Sequence, residues 1–242
     1  MRKPQLFLGV LICMLCGPRL AQAELLGVSW SGELWSVDED TADAELVGLL
    51  DGIDLNAFAV DAAGRVFTVD GAGRLMAIDP DSGEVESTVE LDLGEVEVSV
   101  RALAISPDGL LYGVNWVRAT GSRLFVIDPD TGVGAEIGQL DAYFTQSLDF
   151  SPDGTLYGWG RDRGLYTVDT RTAEISDVNP IAIGPFLQSI AFTPGGGLFG
   201  IRTDRGAEGL VEEIYEIDPT TGAATPHTLG PRLDLRGLVY IP

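Results

Sequence analysis

Five segments of this 242-residue chain repeat one another. The clearest unit runs from Leu111-Tyr112-Gly113-Val114 through Leu124-Phe125-Val126-Ile127-Asp128-Pro129-Asp130-Thr131-Gly132 to Ser147-Leu148-Asp149-Phe150-Ser151-Pro152-Asp153-Gly154. The pattern then begins again at Leu156-Tyr157-Gly158. Self-similarity of this kind, with alternating apolar residues and no helical stretch, constrains the chain to a β-propeller. One unit cannot bury its own apolar face, so each must stack on the next.

Aligning the units separates four strand types, A to D from the axis outward. Strand A is read at 56–60, 101–105, 146–150, 188–192 and 236–240, with large apolar third and fifth positions and mostly small second and fourth ones. That is period-two alternation, with one bulky face and one that lets a neighbouring sheet approach. Strand B starts near Leu26, Phe67, Tyr112, Tyr157 and Phe199, and strand C contains Trp35, Met76, Phe125, Tyr166 and Tyr215. Strand D, as at 45–49 and 135–137, is the least regular, which suits an outer edge.

Ser-Pro-Asp-Gly at 106–109 and 151–154 links A to B, and Asp-Pro-x-x-Gly at 79–83, 128–132 and 218–222 links C to D. Proline fixes φ and glycine supplies the positive φ that tight turns need. These turns share one rim, so longer B-to-C and D-to-A loops are expected on the other. Residues 25–50 read as strands B, C and D, whereas 236–241 is a lone strand A. The sequence therefore predicts an all-β fold: a five-bladed propeller of four-stranded antiparallel blades, closed by pairing of the C-terminal strand with the N-terminal blade. It forms a single domain over 24–242.

Residues 1–23 read as a secretory signal peptide, with Arg2 and Lys3, an apolar stretch from Leu6 to Cys16, and Ala21-Gln22-Ala23 as cleavage site. The stretch is too short to span a bilayer, and neither Cys13 nor Cys16 follows a small residue, so no membrane anchor is expected. The expected location is secreted or periplasmic. Both cysteines and the only lysine lie in this segment, which leaves the remainder without disulfide or thiol and with arginine as its only strong base. A formal net charge of −22 opposes binding to nucleic acid or an anionic membrane and favours a soluble monomer.

The Leu-Tyr-Gly runs at 111–113 and 156–158, Ile-Asp-Pro-Asp-Thr-Gly at 127–132 and the Ser-Pro-Asp-Gly turns resemble the repeats of secreted bacterial β-propellers in the broad lactonase-like and quinoprotein-like superfamily. The likeness covers nearly all of 24–242 and lies in turn and packing residues. It implies the fold and leaves the function to the site. The Trp-Asp and Gly-His dipeptides of WD40 repeats are missing.

Propeller ligands bind where the axial channel opens among loops. The first A-strand position puts Asn56, Arg101, Gln146, Gln188 and Arg236 at that mouth, either as a recognition surface or as partners for the strand ends. Arg101 and Arg236 suit a carboxylate, sulfate or phosphate group, unless Asp54, Asp141 or Asp234 neutralises them. Asp149 stands where the other repeats have Ala59, Ala104, Ala191 and Val239. Such an acid is either paired with an arginine such as Arg161 or Arg101, or is a ligand-facing acid or base. Trp116 and Trp30, placed just beyond strand B, are candidates for stacking on a sugar or a partner side chain.

Other constellations are weak. A glycosidase needs two facing carboxylates, and only one inner strand carries an acid. The lone histidine, His227, lies in an outer strand. The Asp-rich segments at 38–40, 79–81 and 128–130 lack the full calcium-loop pattern and occupy turns that favour Asp locally. The expected function is a binding or interaction module with a protein or carbohydrate ligand at the channel mouth, without cofactor, metal or catalytic residue. The alternative is a propeller hydrolase or lactonase in which Asp149, with a divalent ion such as calcium, activates water.

Overall fold

The structure, a computed structural model, describes residues 24–50, 57–178, 184–206, 209–229 and 232–241. The signal-peptide segment, Asp54 and Asn56 lie outside these residues. The first blade holds β1 (Glu24–Ser29), β2 (Glu33–Val37), β3 (Ala44–Leu49) and β20 (Leu235–Ile241) in the order β20-β1-β2-β3. The second is β4 (Phe58–Val60), β5 (Val66–Val69), β6 (Arg74–Ile78) and β7 (Val85–Glu90). The third is β8 (Val100–Ile105), β9 (Leu111–Val117), β10 (Gly121–Ile127) and β11 (Gly134–Leu140). The fourth is β12 (Thr145–Phe150), β13 (Leu156–Gly160), β14 (Gly164–Val168) and β15 (Ile175–Asp177). The fifth is β16 (Ser189–Phe192), β17 (Leu198–Gly206), β18 (Gly209–Ile217) and β19 (Ala224–Leu229).

The predicted architecture and closure are both present. β20 pairs antiparallel with β1, Leu25 opposite Tyr240 and Gly27 opposite Leu238. The innermost strands neighbour one another in the cyclic order β20, β4, β8, β12, β16. Alternation along them builds five apolar clusters among the described residues, one between each pair of adjacent blades. Ala57 and Ala59, for example, face Leu103 and Phe125 of the next blade, whereas Phe58 turns the other way to meet Leu26 and Val28. Large and small side chains thus interdigitate around the ring.

One loop expectation is corrected. The B-to-C links at 30–32, 70–73, 118–120 and 161–163 are short, and only the D-to-A links vary, from 141–144 to 178–188. Adjacent strands B and C are hairpin partners with no chain to spare. The described residues contain no helix long and apolar enough to cross a membrane.

Glycine at the C-to-D turns has a specific cause. Gly132 has φ 75°, and a Cβ there would fall 2.1 Å from the Glu90 carbonyl oxygen of the preceding blade. The close approach lets Asp92 N–H donate to the Gly132 carbonyl at 2.9 Å and Gly134 N–H donate to the Asp92 carbonyl at 2.8 Å. A Gly132→Ala substitution combines left-handed strain with this clash. It is expected to lower Tm by roughly 6–12 °C, corresponding to about 3 kcal/mol, as a calorimetric scan would show. An unchanged Tm would mean that the two blades do not touch there.

Candidate functional site

The polar first positions of the inner strands are built by a shared irregularity. The register of β8 on β9 slips between Val100 and Ala102, and that of β12 on β13 slips between Thr145 and Ser147. In the first blade Val28 opposes Gly237 but Ser29 opposes Leu235. Arg101, Gln146 and Arg236 are therefore each the unmatched residue of a β-bulge. Bulges re-aim the extra side chain, which frees these three from the apolar alternation that follows. Gln188 precedes β16, and its Oε1 accepts a hydrogen bond from Gln146 Nε2 at 3.2 Å.

The two arginines differ electrostatically. Arg236 lies over Trp30, 5.0 Å from the ring centroid, and is neutralised by Asp234 at 2.5 Å. Asp234 also pairs with Arg205, and Asp141 pairs with Arg163 at 2.8 Å. Arg101 meets no carboxylate among the described residues. It is the only half-buried arginine there of which this is true, because Arg123, Arg163, Arg202 and Arg236 are all paired. Its Nε is buried without a hydrogen-bond partner, and burial pulls its pKa below the usual arginine value.

Aromatic rings gather around Arg101. Its guanidinium is 6.0 Å from the Phe144 centroid, and Phe144 packs edge-on to Trp116 at 4.7 Å. Trp116 lies within β9, not beyond it, and is half-buried. Trp30 and Tyr143 are the open aromatics here, 41% and 57% exposed. Phe144 holds φ 58°, a conformation bulky residues rarely adopt and one that concentrates at functional sites. A cavity of about 290 Å³ beside Arg101 is lined by Trp30, Asp70 and Ser99, with Asp70 tied to Arg74 at 2.6 Å.

Asp149 lies at the opposite end of the channel from this group. The inner edge of an innermost strand has no partner strand, so its N–H groups need side-chain acceptors. Asp149 Oδ2 accepts the Phe192 N–H of the next blade at 2.6 Å, and Oδ1 accepts the Phe150 N–H at 2.9 Å. Ser147 Oγ accepts the Ile190 N–H and Ser189 Oγ accepts the Leu238 N–H, each at 3.0 Å. The expected ion pair is not formed: Arg161 lies over Phe186, Arg101 over Phe144, and no arginine among the described residues reaches Asp149. Burial pushes the Asp149 pKa up to about 7, against the opposing effect of the two amide hydrogen bonds.

Around Asp149 a cavity of about 330 Å³ opens at the A-to-B rim. The fifth positions of the inner strands, Val60, Ile105, Phe150, Phe192 and Tyr240, form its collar. Sequence reasoning singled out Asp149 but missed this cavity. The available signal was the apolar fifth position itself, which collects five large side chains once the ring closes. Ser147 and Ser189 were also missed, although a serine where other repeats have Ala102 or Gly237 marks them.

The acidic turns use their carboxylates locally. Asp38 Oδ1 accepts the N–H groups of Asp40 and Thr41, Asp79 Oδ1 that of Asp81, and Asp128 Oδ1 those of Asp130 and Thr131. These bonds hold the Asp38 and Asp128 carboxyls below the usual range. Among the described residues no three His, Cys, Asp or Glu side chains converge. His227, in outer strand β19, meets Asp40 at 3.1 Å and Phe199.

No protein-family model and no curated protein matches the chain. Solved structures match its fold. A candidate gluconolactonase aligns with TM-score 0.58 and 17% identity, over 88% of this chain and 84% of that one. A gluconolactonase of Xanthomonas campestris aligns with TM-score 0.58 and 16% identity, over 87% and 77%. A Bacteroides caccae protein of unknown function aligns with TM-score 0.57 and 15% identity, over 91% and 99%. Hydrazine synthase of Kuenenia stuttgartiensis aligns at 0.48 and 20% identity over 72% of this chain, which spans about half, 49%, of that one. The chain thus shares a β-propeller fold with these structures, built here from five blades. Within that fold it carries, among the described residues, an arginine without a carboxylate partner beside aromatics at one rim and Asp149 within an apolar collar at the other.

Proposed function

We propose that this chain is a binding module whose B-to-C and D-to-A rim takes an acidic carbohydrate, with Arg101 as counter-ion and Trp30 and Trp116 as aromatic surfaces. The observation that carries the reading is the half-buried Arg101, which has no carboxylate partner among the described residues. A desolvated guanidinium that meets no carboxylate among the described residues offers its planar fork to a carboxylate or sulfate from outside. The Gln146 and Gln188 amides continue the polar rim beside it.

Titration with uronic-acid or sulfated oligosaccharides, followed by tryptophan emission, tests this. Acidic sugars are expected to change the emission and neutral ones not. Arg101→Ala is expected to weaken binding by about tenfold or more, the loss of one charge-assisted hydrogen bond of roughly 1.5–3 kcal/mol. An affinity equal to wild type in that variant would remove the proposal.

A hydrolase is the second reading. It is favoured by the fold likeness to gluconolactonases and by Asp149, whose pKa of about 7 suits a general base. Turnover of sugar lactones that disappears in Asp149→Ala, while the variant keeps its melting curve, would favour it over binding alone.

A further inference from the structure

The A-to-B end of the channel differs in chemistry from the arginine-bearing rim. We propose that it is a second binding site, taking a small quaternary ammonium cation among Phe150, Phe192 and Tyr240 with Asp149 as its counter-ion. The volume, about 330 Å³, is that of a small-ligand site. No arginine or histidine is among the residues lining it. Its other acid, Asp61, is bound to Arg65 at 2.9 Å, which leaves the Asp149 carboxylate as the uncompensated charge. Each Asp149 oxygen accepts one amide hydrogen bond and retains a lone pair.

The walls select the kind of cation. A primary ammonium must donate three hydrogen bonds and calcium needs six to eight oxygens, whereas Ser106, Ser151 and Thr193 at this rim already use their hydroxyls in turn hydrogen bonds. Ser106 Oγ donates to Asp108, Ser151 Oγ donates to Asp153 at 2.5 Å, and Thr193 Oγ1 accepts the Gly197 N–H at 2.9 Å. A cation with alkyl groups in place of N–H asks only for a charge and for aromatic surface, which this collar supplies. Such a cation would also relieve the charge that burial makes unfavourable on Asp149.

The test is calorimetric titration of the full chain, at a pH above 7 where Asp149 is ionised, with choline and with 3,3-dimethylbutan-1-ol, its uncharged counterpart of the same shape. Choline is expected to bind at millimolar or lower concentration and the alcohol about tenfold more weakly or worse. Phe192→Leu is expected to weaken choline several-fold, and Asp149→Asn to abolish the preference for choline over the alcohol. Equal binding of the two compounds by the wild-type protein, or no binding of choline, would overturn the proposal without reliance on any variant's folding. Sodium or ammonium ions competing as well as choline would overturn it too, because the site would then recognise charge and not alkyl surface.

Discussion

Between about pH 5 and pH 8 the wild-type protein is expected to lose roughly 2–3 kcal/mol of stability that an Asp149→Asn variant keeps. The cause is the burial that raises the Asp149 pKa from 3.8 to about 7. An acid with a raised folded-state pKa binds its proton more tightly when folded than when unfolded. Its contribution is fully present below the unfolded pKa and is lost as pH climbs through the folded one. Asp38, Asp128, Asp153 and Asp218 act in the opposite sense, since turn hydrogen bonds hold them below the usual range. Their stabilisation is present above about pH 4 and is lost below it. Urea unfolding of both proteins across this range isolates Asp149, because every other group is common to the two. Parallel curves would mean that the side chain is ionised in the folded state and ordinarily solvated.

Removal of residues 235–242 is expected to abolish cooperative folding. Leu235, Leu238, Val239 and Tyr240 are all buried, and burial of such side chains contributes about 1.5–3 kcal/mol each. Their loss rivals the whole stability of an ordinary domain, about 5–15 kcal/mol. The cut also takes one partner from a buried carboxylate. Glu212, only 1% exposed, accepts the Leu233 and Leu235 N–H groups, the first at 2.7 Å, and would keep only the first of them. Loss of a hydrogen bond to a buried charged group costs about 1.5–3 kcal/mol more, and β1 would be left with an unpaired edge that invites aggregation. Size-exclusion chromatography and a thermal melt decide it. A soluble truncated chain with a single sharp transition would show that the first blade is complete without β20.

The fold was largely legible because its causes are local. Period-two alternation, the Pro and Gly of the turns, and the leftover strand A at 236–241 sufficed for blades, order and closure. The site was legible only in part. Arg101, Gln146, Gln188 and Arg236 could be aligned, and Asp149 stood out as an acid in a column of small apolar residues. Their partners could not be read, because each depends on contact between blades. Asp149 faces the Phe192 N–H, and Gln146 meets Gln188. That Asp234 takes two arginines is likewise set by loop conformation, including the left-handed φ of 60° at Asp234. The A-to-B collar escaped notice because no single repeat contains more than one of its members.

The pairing of Glu24 with Ile241 has a mechanical consequence. With β1 and β20 antiparallel and these residues opposite each other, the chain enters β1 and leaves β20 at the same point. Tension between them loads the hydrogen bonds one after another, as in a zipper, and never all at once as in shear. A molecule pulled at Glu24 and Ile241 would therefore yield at this seam under low force, while a pull across the hairpins within one blade would meet the resistance of the whole ring.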